Sequence, residues 1–177
     1  IAESGAMMMM EDGITMQTIF GDGSAQQPTG FFGKLVSAGK RVLTGESLFM
    51  TAFTNEGQGK KKVSFAAPYT GKIIPMDLRE LGGPIIAQKD AFLCEAKGVR
   101  VGIHFQRKLG VGIFGGEGFI MEKLEGDGMA FLHAGGYIVE KTLNAGEVLK
   151  IDTGCVVAYT PTMQFDIEFV KGVKNFL

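Results

Sequence analysis

Tryptophan is absent from this 177-residue chain, tyrosine occurs three times, histidine and cysteine twice each, and proline five times. Each scarcity excludes some chemistry. A cupin-type metal site needs several histidines and a carboxylate converging from neighbouring strands, and His104 and His133, with no His-x-His pair, do not supply it. No serine sits in a nucleophile elbow, and neither Cys94 nor Cys155 has a histidine close in sequence. Single-strand nucleic-acid binding calls for a dense platform of basic and aromatic side chains. A net charge of −1 provides no long-range field to gather nucleic acid or anionic lipid. No apolar run approaches the roughly 18 to 20 residues of a membrane helix, and no basic helical targeting segment is visible.

Glycine is what the chain has in excess. There are 27 glycines, about twice the usual share of ~7%, and most stand singly between short apolar runs, as turns do between successive strands. Period-2 alternation shows in Val99–Phe105 and in Phe165–Phe169, and helical periodicity is hard to find. These features predict an all-β fold of short strands with little helix. One short helix is expected over Met76–Leu81, stopped by Gly82, Gly83 and Pro84. Gly126-Asp127-Gly128 reads as a tight hairpin turn, since the Asp-Gly step tolerates positive φ, and Asn55–Gly59 reads as a longer version. Cys94 and Cys155 fall in corresponding apolar stretches and are expected as two buried free thiols in a reducing compartment.

The order of motifs is repeated. Gly45-Glu46-Ser47-Leu48-Phe49-Met50 recurs as Gly116-Glu117-Gly118-Phe119-Ile120-Met121, Gly71-Lys72-Ile73-Ile74 as Gly136-Tyr137-Ile138-Val139, and the stretch from Gly83 as the stretch from Gly146. The separations are 71, 65 and 63 residues (Gly45 to Gly116, Gly71 to Gly136, Gly83 to Gly146), so the earlier copy carries extra residues around Gly57–Lys62. Glu3–Met7 falls where Asp152–Val156 stands later, and Phe165–Phe169 mirrors Val101–Phe105. One compact all-β domain over 1–177 is expected, with a partial first unit over about 1–44 that includes a long loop, a second over 45–115, and a shortened third over 116–177. The parent fold would hold three repeats whose neighbours bury each other's apolar faces.

Candidate chemical motifs fail on context. Gly110-Val111-Gly112-Ile113-Phe114-Gly115 fits the dinucleotide fingerprint, but Gly116-Glu117-Gly118-Phe119-Ile120 reads as another turn and strand instead of the helix whose N-terminus would meet a pyrophosphate. Gly33–Arg41 has one residue too many between its glycines for a phosphate loop, and Arg41 stands in place of the Ser or Thr. Glu46 and Glu117 recur at equivalent positions, which suits a folding role in the glycine turn; a carboxylate ring binding a cation is the alternative. Lys60-Lys61-Lys62 forms a basic hairpin tip, and Gly21–Gly30 a polar loop before Phe31 and Phe32. Met7–Met10 is apolar on both faces of a strand, which asks for cover on both sides, one of them another subunit. No catalytic, cofactor or metal residues are assigned.

Ser4-Gly5-Ala6-Met7, Gly45–Thr51, Phe65–Ile73, Phe114–Phe119, Leu124–Gly128 and Asp152–Cys155, in this order over essentially the whole chain, resemble the altered-inheritance-of-mitochondria protein 24 family. The resemblance implies a fold like the tryptophan-RNA-binding attenuator protein, with β-sandwich units in tandem, and no enzymatic residues. It implies a mitochondrial location for a eukaryotic member and a cytoplasmic one for a prokaryotic member. The function expected is a non-catalytic scaffold or assembly module that forms homo-oligomers, with protein partners and without cofactors. The alternative is a small-ligand or RNA-binding module, its RNA version resting on fold analogy.

Overall fold

A computed structural model describes residues 1–20, 48–107 and 118–168. Twelve strands run through them: β1 (Ala2–Glu3), β2 (Met7–Met10), β3 (Ile14–Phe20), β4 (Phe49–Asn55), β5 (Val63–Phe65), β6 (Lys72–Asp77), β7 (Ile85–Gln88), β8 (Phe92–Glu95), β9 (Val99–Arg107), β10 (Phe119–Gly126), β11 (Met129–Ala134) and β12 (Ala158–Tyr159). The chain is all-β, as its glycine spacing and alternation predict. Helical structure among the described residues is limited to single 3-10 turns, Lys89–Ala91 and Thr153–Cys155. Glu46, Glu117, Phe31, Phe32, the Gly21–Gly30 stretch, the Gly110–Gly115 fingerprint and Gly33–Arg41 lie outside the described residues.

The helix expected over Met76–Leu81 is not formed. Met76 and Asp77 end β6, and the amides of Glu80 and Leu81 both donate to the Asp77 carbonyl at 3.1 Å, closing a turn. The Asp77 carboxylate accepts from the Arg79 amide at 3.1 Å and pairs with its guanidinium at 2.6 Å. A short acidic side chain that captures nearby donors competes with helix propagation, and Gly82 follows at φ +70°.

All ladders are antiparallel. A six-stranded sheet runs β3-β4-β1-β8-β11-β6, a four-stranded sheet β12-β7-β10-β9, and β2 pairs with β5. Pro75 sits in β6, at the edge of the large sheet, where a missing N–H costs no ladder bond on the solvent side. β7 and β10 are central strands of the second sheet and are apolar on both faces: Ile85, Ile86 and Ala87, then Phe119, Ile120, Met121 and Leu124, are all buried.

The expected hairpin at Gly126-Asp127-Gly128 is also overturned. β10 pairs with β7 and β9, whereas β11 pairs with β6 and β8, so the chain crosses from one sheet to the other at this step. The reason is a tertiary contact. Asp127 donates its amide to the Gly98 carbonyl at 3.2 Å, and a Cβ on Gly126, which sits at φ +138°, would lie 1.9 Å from that same oxygen. Asn55–Gly59 likewise connects strands of different sheets; Asn55 holds it by donating to the Gly59 carbonyl at 2.8 Å and accepting from the Gly57 amide at 3.0 Å.

Two sheets bury the main core between them, with Met50, Phe92, Ala130 and Leu132 from the larger and Ile85, Val99, Val101, Ile120 and Leu124 from the smaller. A second cluster gathers Ile86, Phe119 and Met121 with Ile167, and a third gathers Ala2, Ala6, Leu93 and Cys94. At about 25 cal/mol per Å² of apolar surface, these contacts are the main favourable contribution to folding.

Distant ladders share a register. Ala2 faces Thr51 and Glu3 faces Met50 in β1–β4; Ala87 faces Glu122 and Gln88 faces Met121 in β7–β10. Met7, Met9 and Met10 face Phe65, Ser64 and Val63, with a bulge between Met7 and Met9. Phe92, Cys94 and Glu95 face Leu132, Phe131 and Ala130, with a shift between Phe131 and Leu132 that falls at the same step.

Candidate functional site

Three short turns follow strands or extended segments and are alike in backbone bonding. The Ala6 amide donates to the Glu3 carbonyl at 3.2 Å, the Phe92 amide to the Lys89 carbonyl, and the Cys155 amide to the Asp152 carbonyl at 2.9 Å. Glu3, Gln88 with Asp90, and Gly154 from these turns line one cleft of about 330 Å³, joined by Pro68 and Tyr69 from the segment before β6. Gln88 donates its side-chain amide to Asp90 at 3.0 Å, Lys89 lies 3.7 Å from Asp90, and Asp152 accepts from the Gly154 amide at 2.9 Å.

Two polar groups are buried beside this cleft. Glu122 is central in β10, 3% exposed, and burial pushes its carboxyl well above the ordinary range; Lys89 opposes that shift, while Glu3, Asp90 and Glu95 reinforce it. Among the described residues its Oε2 meets no hydrogen-bond partner. His133 on β11 is 2% exposed, its ring tilted against Tyr69 with centroids 4.3 Å apart, and neither ring nitrogen finds a partner among the described residues. The Lys89–Ala91 turn packs against both β10 and β11 and so joins these two groups to the cleft. A carboxyl kept protonated donates a hydrogen bond; it does not abstract a proton. Glu122 was not singled out by sequence reasoning. The available signal was a lone acid that follows the apolar Phe119-Ile120-Met121 and, with Lys123, separates it from Leu124.

The residues weighed from sequence are dispersed. His104 is exposed on β9, at the bulge where the ladder to β10 steps from Ile103 to Phe105; the bulge breaks the alternation, so Ile103 packs on the main core and Phe105 on the second cluster. Lys60, Lys61 and Lys62 are exposed, and the Lys62 amide donates to the Glu11 carboxylate at 2.9 Å. Both cysteines are free thiols, but only Cys94 is buried. Burial raises the Cys94 thiol to about 11, which keeps it protonated and unreactive at neutral pH. Cys155 is exposed on the Thr153–Cys155 turn; the apolar stretch expected around it bends at Asp152, whose side chain caps the turn. Among the described residues, no three His, Cys, Asp or Glu side chains gather as a metal site would require, and no helix is long and apolar enough to cross a membrane.

The profile of a family described as mitochondrial biogenesis AIM24 matches residues 1–177. The chain belongs to that family. An uncharacterised protein of Streptococcus pyogenes serotype M6 is 30% identical over 174 residues, covering 96% of this chain and 65% of the relative. A Streptococcus pyogenes protein solved by X-ray crystallography is similar in fold, with a TM-score of 0.53 at 23% identity, covering 76% of this chain and 54% of the solved one. The chain thus spans under two thirds of each of these relatives' lengths.

Proposed function

We propose that this family member is a non-catalytic assembly module that self-associates through the face of β2. The observation that carries this reading is the exposure of a run of large apolar side chains: Met8 is 57% exposed, Met9 60% and Met10 40%. At about 25 cal/mol per Å², leaving even ~200 Å² of methionine surface in water costs ~5 kcal/mol, and methionine suits adaptable contact surfaces. The shared registers of β1–β4 with β7–β10 and of β2–β5 with β8–β11 support tandem copies of one unit, the attenuator-like arrangement that the resemblance implies. Such a tandem presents regular sheet surfaces suited to assembly.

Sedimentation velocity tests the proposal. The intact chain is expected to show a species larger than 19.0 kDa, and the Met8→Lys, Met10→Lys double variant is expected to shift to the monomer. An unchanged sedimentation profile in the variant would contradict it.

A small-ligand reading is the second, resting on the cleft at Glu3, Asp90 and Tyr69 with Glu122 and His133 buried behind it. It predicts that a bound small molecule copurifies with the chain and is lost in Tyr69→Ala, which mass spectrometry under native conditions would detect.

A further inference from the structure

Most ladders of this fold have a counterpart elsewhere in the chain, and the counterpart expected on the second edge of β2 is not formed among the described residues. β8 lies between β11 and β1, with Cys94 opposite Ala2. β12 lies against β7, with Ala158 opposite Ala87 and Tyr159 opposite Ile86. β2 matches β8, because its ladder to β5 has the same order and the same bulge as the ladder of β8 to β11. Among the described residues, however, the other edge of β2 carries no strand.

The two formed joints identify what belongs there. Ala2 precedes the Glu3–Ala6 turn as Ala87 precedes Gln88 and the Lys89–Ala91 turn, and the residue at this place before the Thr153–Cys155 turn is Ile151. Met9 holds the place in β2 that Cys94 holds in β8 and Ala158 in β12. Both formed joints therefore map onto a single new pair, Met9 opposite Ile151, with Met10 opposite Lys150. Ile151 is 53% exposed and Leu149 40%, outside any strand, and Met9 is 60% exposed. Glu3, four residues before β2, and Gly154, two residues after Asp152, line the same cleft, which brings the flanks of the two segments together within one chain.

We propose that Leu149–Asp152 adds to the free edge of β2 as an antiparallel strand within the same chain. This closes a third joint around the cleft and leaves Met8 and Met10, the positions tested for self-association, for contact between copies. The closure gives the β2 and 149–152 backbones ladder partners and covers Met9 and Ile151 against each other. It goes beyond self-association and does not depend on it.

Cysteine cross-linking tests the register, because directly opposed antiparallel residues have Cα atoms about 4.5–5.5 Å apart, inside the disulfide range of about 4.4–6.8 Å. In a Cys94→Ala, Cys155→Ala background, the Met9→Cys, Ile151→Cys pair is oxidised beside a reference, Ala87→Cys with Ala158→Cys, and a shifted pair, Met8→Cys with Ile151→Cys. The expected result is an intramolecular cross-link forming about tenfold faster than in the shifted pair and at a rate like the reference. Cross-links only between chains, equal rates in the two β2 pairs, or none while the reference pair links would overturn the proposal. Hydrogen exchange on the unmodified chain is the second measurement: slowed amides in 149–152 are expected, and free exchange there would equally overturn it. A monomer by sedimentation that still forms the intramolecular link would contradict the assembly reading and leave the closure standing.

Discussion

At Gly126 a single hydrogen atom separates a corner from a clash. A methyl at that position would meet the Gly98 carbonyl oxygen at 1.9 Å, and φ is +138°. Gly126→Ala is expected to lower the stability of the chain by at least ~1–3 kcal/mol, read as a drop in the urea midpoint; an unchanged midpoint would contradict the corner geometry. Glu122 gives the opposite kind of prediction. Its folded pKa is raised by burial, so its contribution to stability is fully present below the ordinary glutamate value and is lost as pH rises toward the raised one. Glu122→Gln should therefore match the unmodified chain near pH 4 and exceed it in melting temperature near pH 7.5; a variant less stable at both would contradict a protonated buried carboxyl. The exposure of His104 was legible from its apolar neighbours in sequence, whereas the bulge at His104 that turns Phe105 to the other face was not. The burial of Glu122 was not legible, because it depends on the turn at Lys89–Ala91 packing across β10.

At the scale of elements, the strands follow from apolar runs punctuated by glycine, while their partners do not. An Asp-Gly step signals a reversal equally in a hairpin and in a passage between sheets, and the choice here lies with Gly98, remote in sequence, whose carbonyl receives the Asp127 amide. The same limit applied to Asn55–Gly59. The misplaced helix had another cause: Met76–Leu81 carries good helix formers, but Ile73, Ile74 and Met76 pair with β11 and draw the segment into the sheet. Leu132, 1% exposed in the main core, should on truncation to Ala cost ~2–5 kcal/mol through lost contacts and a cavity. Tyr137→Ser, at a ring 87% exposed, should stay within about 0.5 kcal/mol in dilute protein. Chemical denaturation of the two variants side by side checks this, and equal losses would contradict the assigned core.

For the whole molecule, the methionine run was legible as a strand apolar on both faces, and the structure adds that the described chain leaves three of its four side chains exposed. That exposure is the basis for assembly, and methionine oxidation reads it at the residues concerned. Dilute peroxide converts an accessible thioether to the sulfoxide, while Met50 and Met121, 3% and 0% exposed, serve as protected references in the same sample. Oxidation of Met8 and Met10, followed by mass spectrometry as protein concentration is raised, is predicted to slow toward the rate of the buried references. Rapid oxidation of Met8 and Met10 at every concentration would contradict assembly through this face.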